Sequence, residues 1–113
     1  MMLISLALLL IAAPALQGQP PQKPCAAAEF HQFDFWIGEW EVRGPKGNVA
    51  GSSRIESIEG GCGIQENWAA GGPTGRSINA YDRVGGKWHQ AWIGAGGQFL
   101  HLVGSLQGFY SKR

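Results

Sequence analysis

The sequence predicts an all-β fold, an antiparallel up-and-down meander of about six strands that curls toward a barrel. Three observations predict it. Beyond Gln32, apolar and polar residues alternate with the period of a strand, while helical periodicity is scarce. Glycine, 18 residues in 113, interrupts the chain so often that few runs are long enough for a helix. Just ahead of this region, Phe33, Phe35 and Trp36 sit beside the step Gly38-Glu39-Trp40, a dense aromatic block that suits the first strand of a barrel.

The elements follow in order. Residues 1–17 read as a secretory signal. The apolar run 3–13 is shorter than the roughly 20 residues a bilayer span needs, and Ala13-Pro14-Ala15 resembles a small-x-small cleavage site. No Lys or Arg precedes that run, so the α-amino group supplies the only charge of its leading edge. Residues 18–32 form a Pro/Gln-rich linker and an N-terminal arm, with a short helical turn expected over 26–33. Residues 33–113 form the β domain, with strands expected at 36–43, 48–58, 61–69, 76–83, 87–93 and 99–106. Gly60-Gly61 and Gly85-Gly86 offer the positive φ of tight hairpins, and 70–74 and 94–97 are longer connections.

Charge and cysteine usage bound the function. Nine Lys and Arg against eight Asp and Glu leave a net charge of +1. A basic face for nucleic acid and a polybasic run for a membrane surface are both unsupported. Cys25 and Cys62 stand in a chain that reads as exported, so a disulfide is their expected state and two free thiols the alternative. Secreted or periplasmic is the expected location.

Alternation sorts the strands into faces. Ile64, Glu66 and Trp68 share one; so do Ser77, Asn79 and Tyr81, and Trp88, Gln90 and Trp92. Phe99, His101 and Val103 oppose Leu100 and Leu102, and both of those sets are apolar enough to face inward. The pairs Glu66/Trp68, Asn79/Tyr81 and Gln90/Trp92 join a hydrogen-bonding group to a large aromatic, the combination that lines ligand pockets. With His101 they form the candidate pocket. A decorated outer surface, or a core whose polar groups satisfy one another, fits the same pattern.

Little points to a reaction. His31, His89 and His101 lie on separate segments at spacings that do not guarantee convergence, so no metal site is expected. His101 is the one candidate for an axial haem ligand, and haem is otherwise not expected. Glu66, if buried, has the makings of a general base; pairing with Arg54 or Arg76 is its plainer fate. No serine has a nucleophile-elbow setting, and Gly60-Gly61-Cys62-Gly63 lacks the helix and Lys-Ser/Thr of a phosphate loop.

Five blocks carry a family resemblance: 33–42; Ile55-Glu56 with Gly61-Cys62; Glu66-Asn67-Trp68; Gly75 with Ser77-Ile78-Asn79-Ala80-Tyr81-Asp82; and Trp88-His89-Gln90-Ala91-Trp92. In this order they resemble a family of uncharacterised secreted bacterial proteins with a domain of unknown function. The resemblance implies a calycin-like barrel, with Gly38 and Trp40 similar to the lipocalin Gly-x-Trp step that plugs the closed end. It also implies that strands are missing beyond residue 104, so the chain reads as truncated. By analogy of fold the barrel would hold a small hydrophobic or aromatic ligand. The expected function is therefore an exported binding module and not an enzyme. A haem-binding or enzymatic barrel, a structural or interaction domain, and a non-functional truncated product are the alternatives.

Overall fold

The structure is a computed structural model that describes residues 11–14, 18 and 21–111. Among the described residues seven strands follow one another: β1 (Gly38–Arg43), β2 (Val49–Ile58), β3 (Gly63–Ala70), β4 (Gly75–Asp82), β5 (Lys87–Gly94), β6 (Phe99–Ser105) and β7 (Gly108–Ser111). Each pairs antiparallel with its sequence neighbours, giving one sheet in the order β1-β2-β3-β4-β5-β6-β7. The meander is as predicted. The sheet is open: β1 and β7 are its edges, and among the described residues no pairing joins them into a barrel. Most of the 1–17 segment read as a signal lies outside the described residues.

The strands predicted at 48–58, 76–83, 87–93 and 99–106 each end within one residue of an observed strand. Those predicted at 36–43 and 61–69 both begin two residues too early, for a shared reason. Trp36 closes a 3-10 turn (Asp34–Trp36), and Gly61 belongs to another (Glu59–Gly61), so the extended backbone starts only beyond them. The seventh strand escaped the sequence reading. Gln107 N–H donates to Ser105 Oγ (3.2 Å) in the tight turn that launches it. The β2–β3 connection uses positive φ at Gly60 and Gly61, whereas in the β4–β5 turn only Gly86 of the glycine pair adopts it.

The helical turn expected over 26–33 is instead two short 3-10 turns, Ala28–His31 and Asp34–Trp36. They belong to an arm that lies across one face of the sheet. The Cys25–Cys62 disulfide fastens its start to the β2–β3 turn across 37 residues of sequence. In the chain-entropy account, closing such a loop stabilises the fold by about 3–4 kcal/mol. His31 braces the same bend: Nδ1 lies 2.8 Å from Asp34 Oδ2, and Nε2 lies 2.8 Å from the Cys25 carbonyl. Both partners are acceptors, and only a protonated ring donates from both nitrogens. These two bonds hold the His31 pKa above its ordinary value, the Asp34 bond contributing most.

The core sits between arm and sheet. Ile55, Ile64 and Trp88 are buried, and Phe33, Trp36 and Tyr81 pack against them. Phe33 meets Trp88 edge-on at 4.9 Å between ring centres, and Phe30 meets Tyr81 the same way at 5.3 Å. Such edge contacts set the positive rim of one ring on the negative face of the other. The Trp88 indole N–H donates to Gln32 Oε1 (3.2 Å), so the ring's one polar atom also binds the arm.

Farther along the same face, two tryptophans lie over glycines of the preceding strand. A methyl group on Gly75 would stand 2.1 Å from the Trp92 ring, and one on Gly51 would stand 2.6 Å from Trp68. At these two positions the aromatic ring occupies the space a side chain would take.

Candidate functional site

The register fixes which side chains share the arm-covered face. Ile64 pairs with Asn79, Asn79 with Gln90 and Gln90 with Leu102; Glu66 pairs with Ser77, Ser77 with Trp92 and Trp92 with Leu100. The set Glu66, Trp68, Asn79, Tyr81, Gln90 and Trp92 therefore lies on one face, as alternation predicted. Leu100 and Leu102 complete it on β6. His101 does not belong there. It pairs with Ala91 on the outer face, so the structure corrects its place among the pocket residues. The candidate axial haem ligand therefore stands on the face opposite the arm.

A continuous polar strip crosses the middle of the arm face. Ser77 Oγ–H donates to Glu66 Oε1 (2.7 Å), and Asn79 Nδ2 donates to Ser77 Oγ (2.8 Å) and to the Ile64 carbonyl (3.2 Å). Gln90 Nε2 reaches Glu66 Oε1 (3.3 Å) and Ser77 Oγ (3.2 Å). Glu66 is thus held by neutral donors on β4 and β5. The expected pairing with arginine does not occur: Arg54 instead meets Glu56 at 2.9 Å on the exposed side. Strand alternation put Arg54 and Arg76 on the opposite face from Glu66, which is the physical reason.

Two hollows flank the strip. One, of about 270 Å³, is lined by Phe33, Phe35, Trp36, Asn79, Trp88 and Gln90. The other, of about 520 Å³, has Phe35, Trp36, Trp40, Ser53, Glu66 and Trp68 among its lining. Phe35 and Trp36 contribute to both, so the arm forms the shared wall between them. Trp40 was expected to plug a barrel end. In the open sheet it is 45% exposed, its indole N–H bonded to the Trp36 carbonyl (2.6 Å), and it lines the larger hollow. Gly38 begins β1 with φ of 142°.

Ser53 is the feature that alternation did not flag. It opposes Trp40 on one side and Trp68 on the other. It is 6% exposed, and among the described residues its hydroxyl has no hydrogen-bond partner. A buried hydroxyl without a partner carries a desolvation penalty of about 1–3 kcal/mol. Strand period places Ser53 on the Ile55 side, but only the fold shows that aromatic rings on both neighbouring strands enclose it. Ser77 was assigned to this face from the sequence and proves to be the hub of the polar strip. Phe35 and Trp36 were read as part of a motif and prove to be walls. Tyr81 and Trp92 line neither hollow: Tyr81 packs in the core, and Trp92 covers Gly75.

The fold and this face define an open antiparallel β-sheet protein whose disulfide-fastened arm shapes two aromatic hollows. No protein-family model, no curated protein and no solved structure matches the chain. Fold class therefore rests on the strands themselves, and the calycin-type family remains an expectation from the sequence blocks. The disulfide is compatible with an oxidising compartment. Among the described residues no helix is long and apolar enough to cross a membrane, which says nothing of β-barrel insertion.

Proposed function

We propose that the arm face binds a small, largely apolar or aromatic molecule in an oxidising, extracytoplasmic compartment. The observation that supports this most is the pair of aromatic hollows divided by a strip of oriented polar groups, with the Ser53 hydroxyl left unpaired at the edge of the larger one. Apolar walls with a few fixed polar groups are the ordinary make-up of a small-molecule site. Glu66, Asn79 and Gln90 would orient the ligand, while Phe35, Trp36, Trp40 and Trp68 would supply contact area. Glu66 Oε1 accepts from Ser77 and Gln90, which orients the carboxylate within the strip.

The test is a titration with the neutral fluorophore N-phenyl-1-naphthylamine, reading both probe enhancement and tryptophan quenching. Saturable binding is expected, and Phe35→Ala should weaken it about tenfold, the 1–2 kcal/mol of one aromatic contact. Phe35 is exposed and lines both hollows, so its truncation spares the core. Unchanged emission in a sample with a cooperative urea transition would overturn the proposal.

A further inference from the structure

The outer face carries a cluster that the arm face does not use. His89 on β5 and His101 on β6 are diagonal neighbours: His89 pairs in register with Val103, and His101 with Ala91. Their ring planes differ by 25°, with centres 5.1 Å apart. His89 Nδ1 and His101 Nε2 come within 2.9 Å of each other. On the far side of the His89 ring, Nε2 stands 3.7 Å from Asp82 Oδ2. Asp82, His89 and His101 thus lie in line across β4, β5 and β6.

The surroundings suit this arrangement. Ala80 opposes His89 on β4, and Ala91 opposes His101, so small side chains leave the floor beneath both rings open. A hollow of about 350 Å³, lined by Ala80, Tyr81, Asp82 and His89, opens beside the pair. Asp82 is fixed by the turn it begins, since the Val84 N–H donates to its Oδ1 (2.9 Å).

We propose that His89 Nδ1 and His101 Nε2 form a two-imidazole chelate for a divalent late transition metal, copper(II) before others, with Asp82 steadying the far nitrogen of His89. At metal–nitrogen bonds of about 2.0–2.1 Å, donors set at a right angle stand about 2.9 Å apart, and donors at the tetrahedral angle about 3.3 Å. In the structure the two nitrogens face each other end to end, as in an N–H···N hydrogen bond, so binding requires each ring to turn until both lone pairs meet at one metal; imidazole affinity peaks at copper. Metal-binding histidines commonly give their other ring N–H to a carboxylate, which fixes the tautomer, and Asp82 Oδ2, at 3.7 Å, would have to close on His89 Nε2 to accept it. On binding, the proton shared between the two rings leaves the inner nitrogens. His89 then carries its proton on Nε2 toward Asp82, and His101 carries its own on Nδ1. Among the described residues no third His, Cys, Asp or Glu converges on the same point, so water or an added ligand completes the coordination. Lys87 opposes Asp82 in register on this face, so affinity comes from the nitrogens and not from a surplus of negative charge.

The experiment is a copper(II) titration of the disulfide-bonded chain, free of any histidine tag, followed by calorimetry and electron paramagnetic resonance. One equivalent is expected, with hyperfine structure from two imidazole nitrogens, and zinc(II) should bind more weakly. His89→Gln and His101→Gln should each weaken binding at least tenfold, and Asp82→Asn about tenfold. His31→Gln should leave the affinity unchanged. Copper binding that survives in the His89→Gln/His101→Gln double variant would overturn the proposal. So would the absence of saturable binding by the folded wild type below about 100 μM.

Discussion

Trp88 and Trp92 stand on the same strand and the same face, yet their surroundings differ completely. Trp88 is 2% exposed, with Phe33 edge-on against it and Gln32 on its indole nitrogen, all supplied by the arm. Trp92, two strand periods further from the arm's docking point, has the sheet's own backbone beneath it at Gly75 and remains partly open. The same residue type is core at one end and a shelf at the other. What separates them is the cover, which comes from a segment more than fifty residues upstream of Trp88 in sequence.

The comparison breaks most sharply if the covered ring is removed. Trp88→Ala should destabilise the fold by about 3–5 kcal/mol, the cost of truncating a buried large aromatic, read as a fall in the urea midpoint. A loss below about 1 kcal/mol would mean the arm is not docked as described. At the open end the sensitive position is the glycine and not the tryptophan. Gly75→Ala should cost about 1–3 kcal/mol by forcing the Trp92 ring aside, with a red shift in tryptophan emission as the ring moves toward water. Unchanged emission and stability would show that Trp92 does not rest on Gly75.

Ser53 sharpens the contrast with a change of opposite sign. Ser53→Ala removes a buried, unpaired hydroxyl and should stabilise the unliganded protein by about 1 kcal/mol, while weakening any ligand that satisfies that group. Differential scanning calorimetry with and without the naphthylamine probe measures both. The smallest effect belongs to the bend that holds the arm. The His31 pKa is raised in the folded protein, so its contribution is fully present below about 6.5. It fades as pH rises through the higher folded value. The urea midpoint should fall slightly as pH rises above about 6.5, and His31→Gln should abolish that slope.

Much of this was legible in the residues. Alternation between Ile64 and Trp92 gave the strands and the shared face, because a half-buried strand must separate its two sides by period alone. The same logic failed at β6, where Phe99, His101 and Val103 are as apolar as Leu100 and Leu102. Register decided that case, through the pairing of Leu102 with Gln90, and register is a property of two strands together. Cross-strand closeness was equally hidden: nothing in the spacing of His89 and His101 reveals that a diagonal and two alanines bring their nitrogens within 2.9 Å. The seventh strand was missed because its launching turn hangs on a serine hydroxyl and not on a glycine pair such as Gly60-Gly61 or Gly85-Gly86.

Because every strand pairs only with its chain neighbours, the sheet assembles through short-range hairpin closures, the kind that form fastest. The arm reverses that order. It is made first, but Trp88 emerges 56 residues after Gln32, so docking must await β5. Cys62 arrives earlier, at a separation of 37 from Cys25. The bridge is thus available before the arm has a surface to lie on, and it tethers the arm at the right end of the sheet until the last hairpins arrive.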